Sequence, residues 1–330
     1  MSIHSGVSDD RFIALWRETG GRAKAIHEAT GIALRNVYER RNKIEARRGI
    51  TLPSAGDDGK RGRGDAGQSP NDYLSRIPVD GFTGSMVVFS DAHYWKGQPP
   101  SVAHQALIEV IREIKPKLVI ANGDIFDGAR ISRFPRNGWE NLPRISEELE
   151  EATERMAEIR HAAGRARLIR SIGNHDIRFD RYLSMNASEM DGIAGFRLAD
   201  HLKAWPECMS IAVNGHTMIK HRFYGGIHAA YNATLRAGWS TFNGHTHHLE
   251  VKPWGDYNGR RYGVQTGAIA EVGGPQFAYA EDGPSAGCSG FAVGTFDGAG
   301  RLLMPELCEV IEGVAYFRGQ RVAGKRRVAA

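Results

Sequence analysis

Five groups of polar side chains in this sequence combine the residue types that bind transition metals in proteins. Each group has carboxylate, imidazole or amide side chains and directly follows a short apolar run. A mixture of oxygen and nitrogen donors suits Mn²⁺, Fe, Co²⁺ or Zn²⁺, whereas an all-oxygen magnesium or calcium site does not need histidine. In chain order the groups are Asp91-Ala92-His93, Gly123-Asp124-Ile125-Phe126-Asp127, Gly173-Asn174-His175-Asp176, His221 and Gly244-His245-Thr246-His247.

The elements that must position these groups alternate along the chain. Apolar runs predict strands at residues 86–89, 117–121, 166–172, 217–220 and 240–242, with later strands at 262–265, 291–296 and 314–317. Helices are predicted at residues 102–114 and 145–163, and the alternation is typical of an α/β domain. Because ligands of α/β sheets bind at the carboxyl ends of the strands, we expect the five groups to converge at one edge.

Taken singly, each group is weak support for a functional site. The pattern Asp-x-His is common by chance, and Gly-Asn-His-Asp is more often a turn than part of a site. All five groups occur in order, each at the end of a predicted strand. This arrangement indicates a shared metal centre rather than a set of unrelated turns.

Together the groups resemble the signature of the calcineurin-like metallophosphoesterase family, over about residues 84–250. The resemblance implies a β-sandwich with flanking helices and two divalent metal ions at one edge. We expect Mn²⁺ first, with Fe, Zn²⁺ or Co²⁺ as alternatives. The implied ligands are Asp91, His93 and His247 for one ion, Asn174, His221 and His245 for the second, and Asp124 as the bridge between them.

The same resemblance assigns roles to residues that are not needed as ligands. His175 would donate a proton to the leaving alkoxide, and Asp127 would fix the imidazole ring and favour its protonated form. Asp176 is expected to be structural. Some family members have an arginine directly after the last aspartate of the second motif, where this chain has Gly128. That difference weakens the analogy with phosphoprotein phosphatases.

Residues beside these motifs leave two interpretations open. Arg130, Arg133 and Arg136 follow the second motif and would either clamp a phosphate or solvate a loop. Tyr94 and Trp95 follow the first motif and would either stack on a base or, as we expect, pack in the core.

Residues 1–50 predict a separate helical module. A periodic apolar stretch from Phe12 to Trp16, a short helix near residues 22–29, a turn at residues 30–32 and a basic helix near residues 33–47 resemble a helix-turn-helix. His27 departs from the motif, which usually has a small residue four positions before its turn glycine. The alternative is a three-helix interaction module that does not bind DNA.

Composition divides the chain into three segments. Residues 1–50 carry ten Lys and Arg against six Asp and Glu, a net charge of +4 that suits a polyanionic partner. Residues 51–80 are rich in Gly, Ser, Pro and mixed charges, which predicts a flexible linker. We assign residues 81–330 to the metallophosphoesterase domain.

Two further features bear on the environment of the protein. The sequence has neither an apolar run of about 20 residues nor the N-terminal pattern of a signal peptide, and we therefore expect a cytoplasmic location. The three cysteines, Cys208, Cys288 and Cys308, are too few and too widely spaced for a disulfide framework.

The helical module favours one substrate class. If it binds DNA, the tether raises the local concentration of DNA at the metal centre, and the expected activity is hydrolysis of phosphodiester bonds in DNA. The alternatives are a phosphodiesterase or phosphatase for a small nucleotide or phosphoprotein, with the module used for assembly, and a non-enzymatic binding protein. We expect DNA as a partner and no membrane partner. The helical module is also compatible with a homodimer, because helix-turn-helix modules often act in pairs. The layout also resembles proteins common in bacteriophages and prophages.

Overall fold

The computed structural model describes residues 6–50, 52, 75–134, 138, 141–280 and 287–325. The chain divides into two compact units, Met1–Ser69 and Pro70–Ala330. The described part of the smaller unit is helical, and the larger unit contains two β-sheets with helices, which confirms the predicted fold class. Among the described residues, no helix is both long and apolar enough to cross a membrane.

The smaller unit packs three helices around a core of its own. These are α1 (Asp9–Glu18), α2 (Ala23–Thr30) and α3 (Leu34–Arg48). Ser8 caps α1 by accepting a hydrogen bond from the Arg11 amide at 3.2 Å. Gly31 ends α2 with a φ of 71°, a left-handed conformation that glycine adopts without steric cost. The core between the helices includes Phe12, Trp16, Ile26, Val37 and Ile44.

The larger unit contains five further helices and fourteen strands among its described residues. The helices are α4 (Val102–Ile114), α5 (Ile145–Ala163), α6 (Ile177–Asn186), α7 (Leu198–His201) and α8 (Ala229–Ala237). The strands are β1 (Arg76–Val79), β2 (Gly84–Phe89), β3 (Leu118–Asn122), β4 (Arg167–Ser171), β5 (Glu207–Cys208), β6 (Ser210–Val213), β7 (Thr217–Ile219), β8 (Ser240–Asn243), β9 (Leu249–Asp256), β10 (Gly259–Thr266), β11 (Gly290–Phe296), β12 (Glu306–Ile311), β13 (Val314–Phe317) and β14 (Gln320–Gly324).

These strands form two sheets. One has six strands in the order β1-β6-β7-β8-β10-β9, and the other has eight strands in the order β14-β13-β12-β11-β2-β3-β4-β5. The neighbours from β2 to β5 are parallel, and β7 is parallel to β8. Within each of these parallel sets, the carboxyl ends of the strands therefore lie at a common edge.

Side chains along β2 alternate between two cores. Met86 and Val88 belong to the apolar cluster between the sheets, while Val87 and Phe89 pack with residues of α4 and α5 on the outer face. On the other side of the molecule, α8 packs against the six-stranded sheet, where Gly263 leaves space for the Ala230 carbonyl. The layers are therefore helix, sheet, sheet and helix, as the family resemblance implies.

The boundary of the larger unit differs from the prediction. Strand β1 lies inside residues 51–80, which the sequence predicts to be a linker, and it pairs in parallel with β6. The sequence of β1, Arg-Ile-Pro-Val, is too short to be recognised as a strand from its composition. Only its pairing with a distant strand identifies it. Apart from Leu52 and residues 75–80, the predicted linker lies outside the described residues.

Candidate metal centre

The predicted ligands converge at the edge where strands of both sheets end. The eight-stranded sheet supplies four of them, after β2, β3 and β4: Asp91, His93, Asp124 and Asn174. The six-stranded sheet supplies three histidines, after β7 and β8: His221, His245 and His247. Donor atoms lie within 4.8 Å of one another in three groups: Asp91 with His93 and His247, His93 with Asp124 and His175, and Asp124 with His221 and His245.

Two buried carboxylates lie at the middle of this cluster. His247 Nε2 is 3.2 Å from Asp91 Oδ1, and His221 Nε2 is 3.0 Å from Asp124 Oδ2. His93 Nε2 lies between the carboxylates, 3.9 Å from Asp91 Oδ1 and 4.0 Å from Asp124 Oδ2. Asp124 thus neighbours a histidine from each predicted set, as a bridging ligand requires.

Hydrogen bonds orient two of the imidazole rings. His93 Nδ1 donates to Asp127 Oδ1 at 2.8 Å, and His221 Nδ1 donates to the Asn122 carbonyl at 2.7 Å. With the proton on Nδ1 engaged in this way, Nε2 is the ring nitrogen that faces the carboxylates and is placed to bind a metal ion. This is how metal-binding histidines are usually oriented.

Two predicted ligand atoms are buried and have no hydrogen-bond partner in the described part of the chain: His93 Nε2 and Asn174 Oδ1. A buried polar atom without a partner costs about 1–3 kcal/mol. A bound cation satisfies such atoms, and the donor set of imidazole, carboxylate and amide oxygen matches a transition metal. The residues therefore fit a pair of divalent cations.

The backbone is left-handed at five of the predicted ligands. The φ angles are 54° at Asp91, 41° at His93, 53° at Asp124, 71° at His245 and 58° at His247. They make up half of the ten non-glycine residues with positive φ in the described ranges. Residues other than glycine rarely adopt this conformation, and it concentrates at functional sites. The backbone strain of the larger unit is thus concentrated at the metal centre.

Three motif glycines allow the chain to pass close to the ligands. A Cβ atom at Gly173 would lie 2.1 Å from Asp124 Oδ1, and one at Gly123 would lie 2.5 Å from His221 Cγ. A Cβ atom at Gly244 would lie 2.7 Å from Asp91 Oδ2. No side chain fits at these positions, which gives the physical reason for glycine in each motif.

The candidate acid His175 and Asp127 are hydrogen-bonded to each other. His175 Nδ1 donates to Asp127 Oδ1 at 2.8 Å, and the same oxygen accepts the bond from His93. Burial opposes ionisation of Asp127, but the hydrogen bonds from His175 and His93 outweigh it and hold the pKa of Asp127 well below its ordinary value. Burial also opposes the charged form of His175, yet the bond to Asp127 outweighs this and raises the pKa of His175.

The electrostatics of the ligands reflect two opposing effects. Burial favours neutral His221, but the nearby Asp124 and Asp91 carboxylates prevail and raise the pKa of His221 to about 10. Burial likewise favours protonated Asp91, but His221 and His247 lower the pKa of Asp91 overall. A cation that binds here must therefore displace a proton from His221.

Asp176 fixes the loop that follows β3. Its carboxylate accepts hydrogen bonds at 2.9–3.1 Å from four backbone amides, those of Gly173, Asp124, Ile125 and Phe126. These contacts account for the conformation of the loop without contact to a substrate, in keeping with the structural role that we expect.

Arg178 enters the site although the sequence analysis does not single it out. Its guanidinium donates to the Asp127 carbonyl at 2.9 Å and approaches His175 Nε2 at 3.2 Å. Arg178 follows His175 by three residues at the start of α6, and this spacing on a helix is the signal that identifies it. A guanidinium beside His175 is well suited to contact a phosphate oxygen.

Phe277 is a second residue that the sequence analysis misses. Its ring centroid lies 5.5 Å from that of His93 and 5.2 Å from that of His247. The loop between β10 and Phe277 is anchored because the Ile269 and Ala270 amides donate to the carbonyls of Ser90 and Asp91 at 3.0 and 3.2 Å. The C-terminal part of the chain therefore forms a wall of the metal centre.

The residues with two open roles make contacts within the protein where they are described. Arg130 donates to the carbonyls of Leu142 and Pro143 and so braces its own loop. The Tyr94 hydroxyl lies 3.0 Å from His104 Nδ1, and Trp95 is buried. Arg133 lies over the Phe134 ring at 5.1 Å, and Arg136 lies outside the described residues.

Comparison with known proteins gives relatives of one kind. The family model for calcineurin-like phosphoesterases matches residues 85–257. The Gene 54 proteins of Mycobacterium phages D29 and L5 are 27% and 28% identical to this chain, and the matches cover 63% of it and 88% of each phage protein. The region matched by the family contains every predicted ligand.

Solved structures also match, at low identity. Wild-type Vps29 from Entamoeba histolytica, complexed with zinc, is 14% identical, with 72% of this chain and 98% of that chain covered and a TM-score of 0.39. A protein serine/threonine phosphatase from Saccharomyces cerevisiae is 13% identical, with 74% and 86% covered and a TM-score of 0.36.

Proposed function

This chain belongs to the calcineurin-like phosphoesterase family and is a metal-dependent phosphoric ester hydrolase, and from that premise we propose that it cleaves phosphodiester bonds in DNA, directed by its N-terminal helical unit. One observation carries the choice of DNA. Helices α2 and α3 are joined through left-handed Gly31, and the first residues of α3 are exposed. In a helix-turn-helix these residues of the second helix contact the edges of the bases.

His27 is accommodated at the position where the motif usually has a small residue. Its Nδ1 donates to the Ile32 carbonyl at 2.8 Å, and its own carbonyl accepts from the Gly31 amide at 2.8 Å. The side chain is exposed and lies on the turn instead of between the helices. A histidine at this position is thus compatible with the motif.

The polar residues at the two ends of α3 differ in their contacts. Arginines near its end pair within the unit, since Arg47 lies 3.0 Å from Asp9 and Arg48 pairs with Asp10. At its start, the side chains of Arg35 and Asn36 form no ion pair or hydrogen bond with any described residue and are exposed. Arginine pairs with guanine and asparagine with adenine in the major groove. The start of α3 therefore offers the chemistry of base recognition.

The residues of the metal centre divide the chemistry between them. The seven predicted ligands would hold two cations, for which we propose Mn²⁺. When bound, such cations neutralise phosphate charge and lower the pKa of a water molecule. His175 keeps its Nδ1 proton on Asp127 and would protonate the leaving oxygen from Nε2. Because Arg178 contacts this nitrogen, its guanidinium must first move, for which a phosphate oxygen of the substrate is a suitable partner.

A second candidate function is hydrolysis of a small nucleotide or phosphoprotein, with the helical unit serving assembly of a homodimer. The observation that favours it is apolar exposure at the start of α3. Leu34 is 46% exposed and Tyr38 is 51% exposed, and both side chains would suit a protein partner as well as DNA.

The test compares Mn²⁺-dependent cleavage of single- and double-stranded DNA with hydrolysis of bis(p-nitrophenyl) phosphate. We expect Arg35→Ala and Asn36→Ala each to slow cleavage of double-stranded DNA about tenfold, the effect of one lost base contact, and to leave the small diester unaffected. Arg11→Ala removes an exposed charge from α1 and is the matched control. Hydrolysis of the small diester without cleavage of any DNA would support the second candidate instead.

A further inference from the structure

A row of cationic and aromatic side chains leads away from the metal centre, from the carboxyl end of β7 past the first residue of β1 to the residue that precedes β8. We call it the basic-aromatic track and define it by six residues, none of which is a predicted metal ligand: Arg76, Lys220, Arg222, Phe223, Tyr224 and Trp239. All of them belong to the larger unit.

The track begins at the second predicted cation. Arg222 directly follows the predicted ligand His221, and its side chain is exposed. Because Arg222 is next to a predicted ligand in the chain, a phosphate held at the metal centre would lie close to its guanidinium.

The middle of the track combines a cation with two rings. Lys220 Nζ lies 5.4 Å from the centre of the Phe223 ring, whose centroid is 5.2 Å from that of Tyr224 at an interplanar angle of 75°. Lys220, Phe223 and Tyr224 are each partly exposed. Both rings therefore retain surface on which a planar group can stack.

The far end of the track repeats this pairing. The guanidinium carbon of Arg76 lies 6.0 Å from the centre of the Trp239 ring, and that ring is partly exposed. The register of the sheet sets the spacing, because Arg76 pairs with Ser210 and the next residue of β6 pairs with Ile219, just before Lys220. Arg76 and Lys220 are therefore close neighbours across β6.

The charge at the centre of the track is not neutralised locally. Within the described residues, neither Lys220 nor Arg222 forms an ion pair with an acidic side chain. Lys220 lies two residues before Arg222 in the chain and is a neighbour of Arg76 across β6, so the three cations are grouped in one region. Cations held together in this way favour a partner with repeated negative charges.

From these contacts we propose that the basic-aromatic track binds single-stranded DNA and holds the strand that enters the metal centre. Phosphates would contact the cations, and unpaired bases would stack on Phe223 and Trp239, as in proteins that bind single strands without sequence preference. In a duplex the faces of the bases are covered by their neighbours, and the rings would have no partner. The inference rests on the proposed function, since it identifies the form of DNA held at the same site.

The test measures binding of a fluorescein-labelled oligothymidylate by fluorescence anisotropy at several salt concentrations. The full chain is used with Mn²⁺ and carries His175→Ala to slow cleavage. Adding Lys220→Gln with Arg222→Gln should weaken binding and reduce the salt slope by about 1.4, for two lost phosphate contacts on a single strand. Phe223→Ala should weaken binding about tenfold, and Phe223→Trp should retain it.

Two controls separate the track from general effects. Lys252→Gln with Arg260→Gln removes the same charge from exposed positions on β9 and β10, and we expect unchanged binding. Lys220 and Arg222 flank a predicted ligand, and so manganese content and thermal melting are measured for each variant. Trp239→Ala lies further along the chain from any ligand, and it should also weaken binding about tenfold.

Each remaining outcome overturns the inference in a recognisable way. If the track variants and the control variant weaken DNA binding equally, the binding is due to general electrostatics and not to the basic-aromatic track. Unchanged binding in the track variants, combined with weaker DNA cleavage in Arg35→Ala, would place DNA on the helical unit alone and leave the proposed function intact. No binding or cleavage of any DNA by the wild-type chain would overturn the proposed function as well.

Discussion

Asp176 Oδ2 accepts a hydrogen bond from the backbone amide of Asp124 at 3.0 Å, so that a carboxylate outside the predicted ligand set fixes the loop that carries the predicted bridge. Asp176 is 1% exposed, and Arg170 NH1 lies 3.6 Å from its Oδ2 atom. The positions of Asp124 and Asp127 therefore depend on a side chain with no chemical step of its own.

Replacing Asp176 should destabilise the larger unit and impair the metal centre together. Asp176→Ala leaves four amide groups without their acceptor, and each buried amide without a partner costs about 1–3 kcal/mol. We expect the free energy of unfolding to fall by more than about 3 kcal/mol, measured by urea denaturation. Asp191→Asn, in an exposed ion pair with Arg197, is the control and should leave the free energy of unfolding nearly unchanged. Similar values for the two variants would contradict a structural role for Asp176.

Asp127 and His175 should differ in their effects although they are hydrogen-bonded to each other. Loss of a general acid typically costs about 10²–10⁴ in rate, and His175→Ala should lower kcat by this amount on esters with poor leaving groups. The effect should be smaller with p-nitrophenolate, which leaves without a proton. Asp127→Ala should lower kcat and also weaken Mn²⁺ binding by about 10- to 100-fold, because His93 loses the acceptor that orients it.

Isothermal titration with Mn²⁺ and kinetics on two leaving groups measure these differences. The variant that carries both substitutions is the control. If Asp127 affects the rate only through His175, the kcat of this variant at saturating Mn²⁺ should be no lower than that of His175→Ala. Normal Mn²⁺ affinity in Asp127→Ala would show that the bond to His93 has no bearing on the metal.

Glu148 predicts a dependence of stability on pH. The residue is fully buried on α5, and burial raises its pKa to about 8 from an ordinary value of 4.5. Between these values the folded chain keeps the proton and the unfolded chain loses it, so the free energy of unfolding falls as pH rises. In Glu148→Gln the side chain cannot ionise, so the free energy of unfolding no longer falls with pH for this reason. The glutamine oxygen can still accept the hydrogen bond from the Gly128 amide.

The comparison is made by urea denaturation at intervals from pH 5 to pH 8. The variant should gain stability over the wild type by about 1.4 kcal/mol per pH unit. Glu150→Gln, at an exposed position on the same helix, should show no such trend. A difference between Glu148→Gln and the wild type that stays constant with pH would mean that Glu148 is ionised in the folded chain.

Removal of metal should abolish activity and lower the melting temperature, because a cation that binds only the folded chain stabilises it. Chelation followed by addition of Mn²⁺ should restore both properties. Asn174→Ala removes a buried amide oxygen with no other partner, and it should require much more Mn²⁺ for the same melting temperature. Asn186→Ala, at an exposed position at the end of α6, should respond like the wild type. Full activity of Asn174→Ala at low Mn²⁺ would remove Asn174 from the ligand set.

The sequence is most informative where chemistry and local structure coincide. Each predicted ligand follows an apolar run that forms a buried strand, and parallel strands bring distant motifs to one edge. Strand β9 does not stand out in the same way because Pro253 and charged residues interrupt it, which an edge strand tolerates. The contact of Phe277 with His93 and the pairing of Arg47 with Asp9 depend on long-range packing, for which no local pattern exists.

The origin of the ligands in two sheets has a mechanical consequence. The first predicted ion would be held by Asp91 and His93 of one sheet and His247 of the other, and the second by Asn174 of one sheet and His221 and His245 of the other. Separation of the two layers at this edge would then require breaking coordination bonds in addition to hydrogen bonds such as that between the Ser90 and Thr266 hydroxyls. Amide hydrogens at the ends of β3 and β8 should therefore exchange last in the loaded protein and early after chelation.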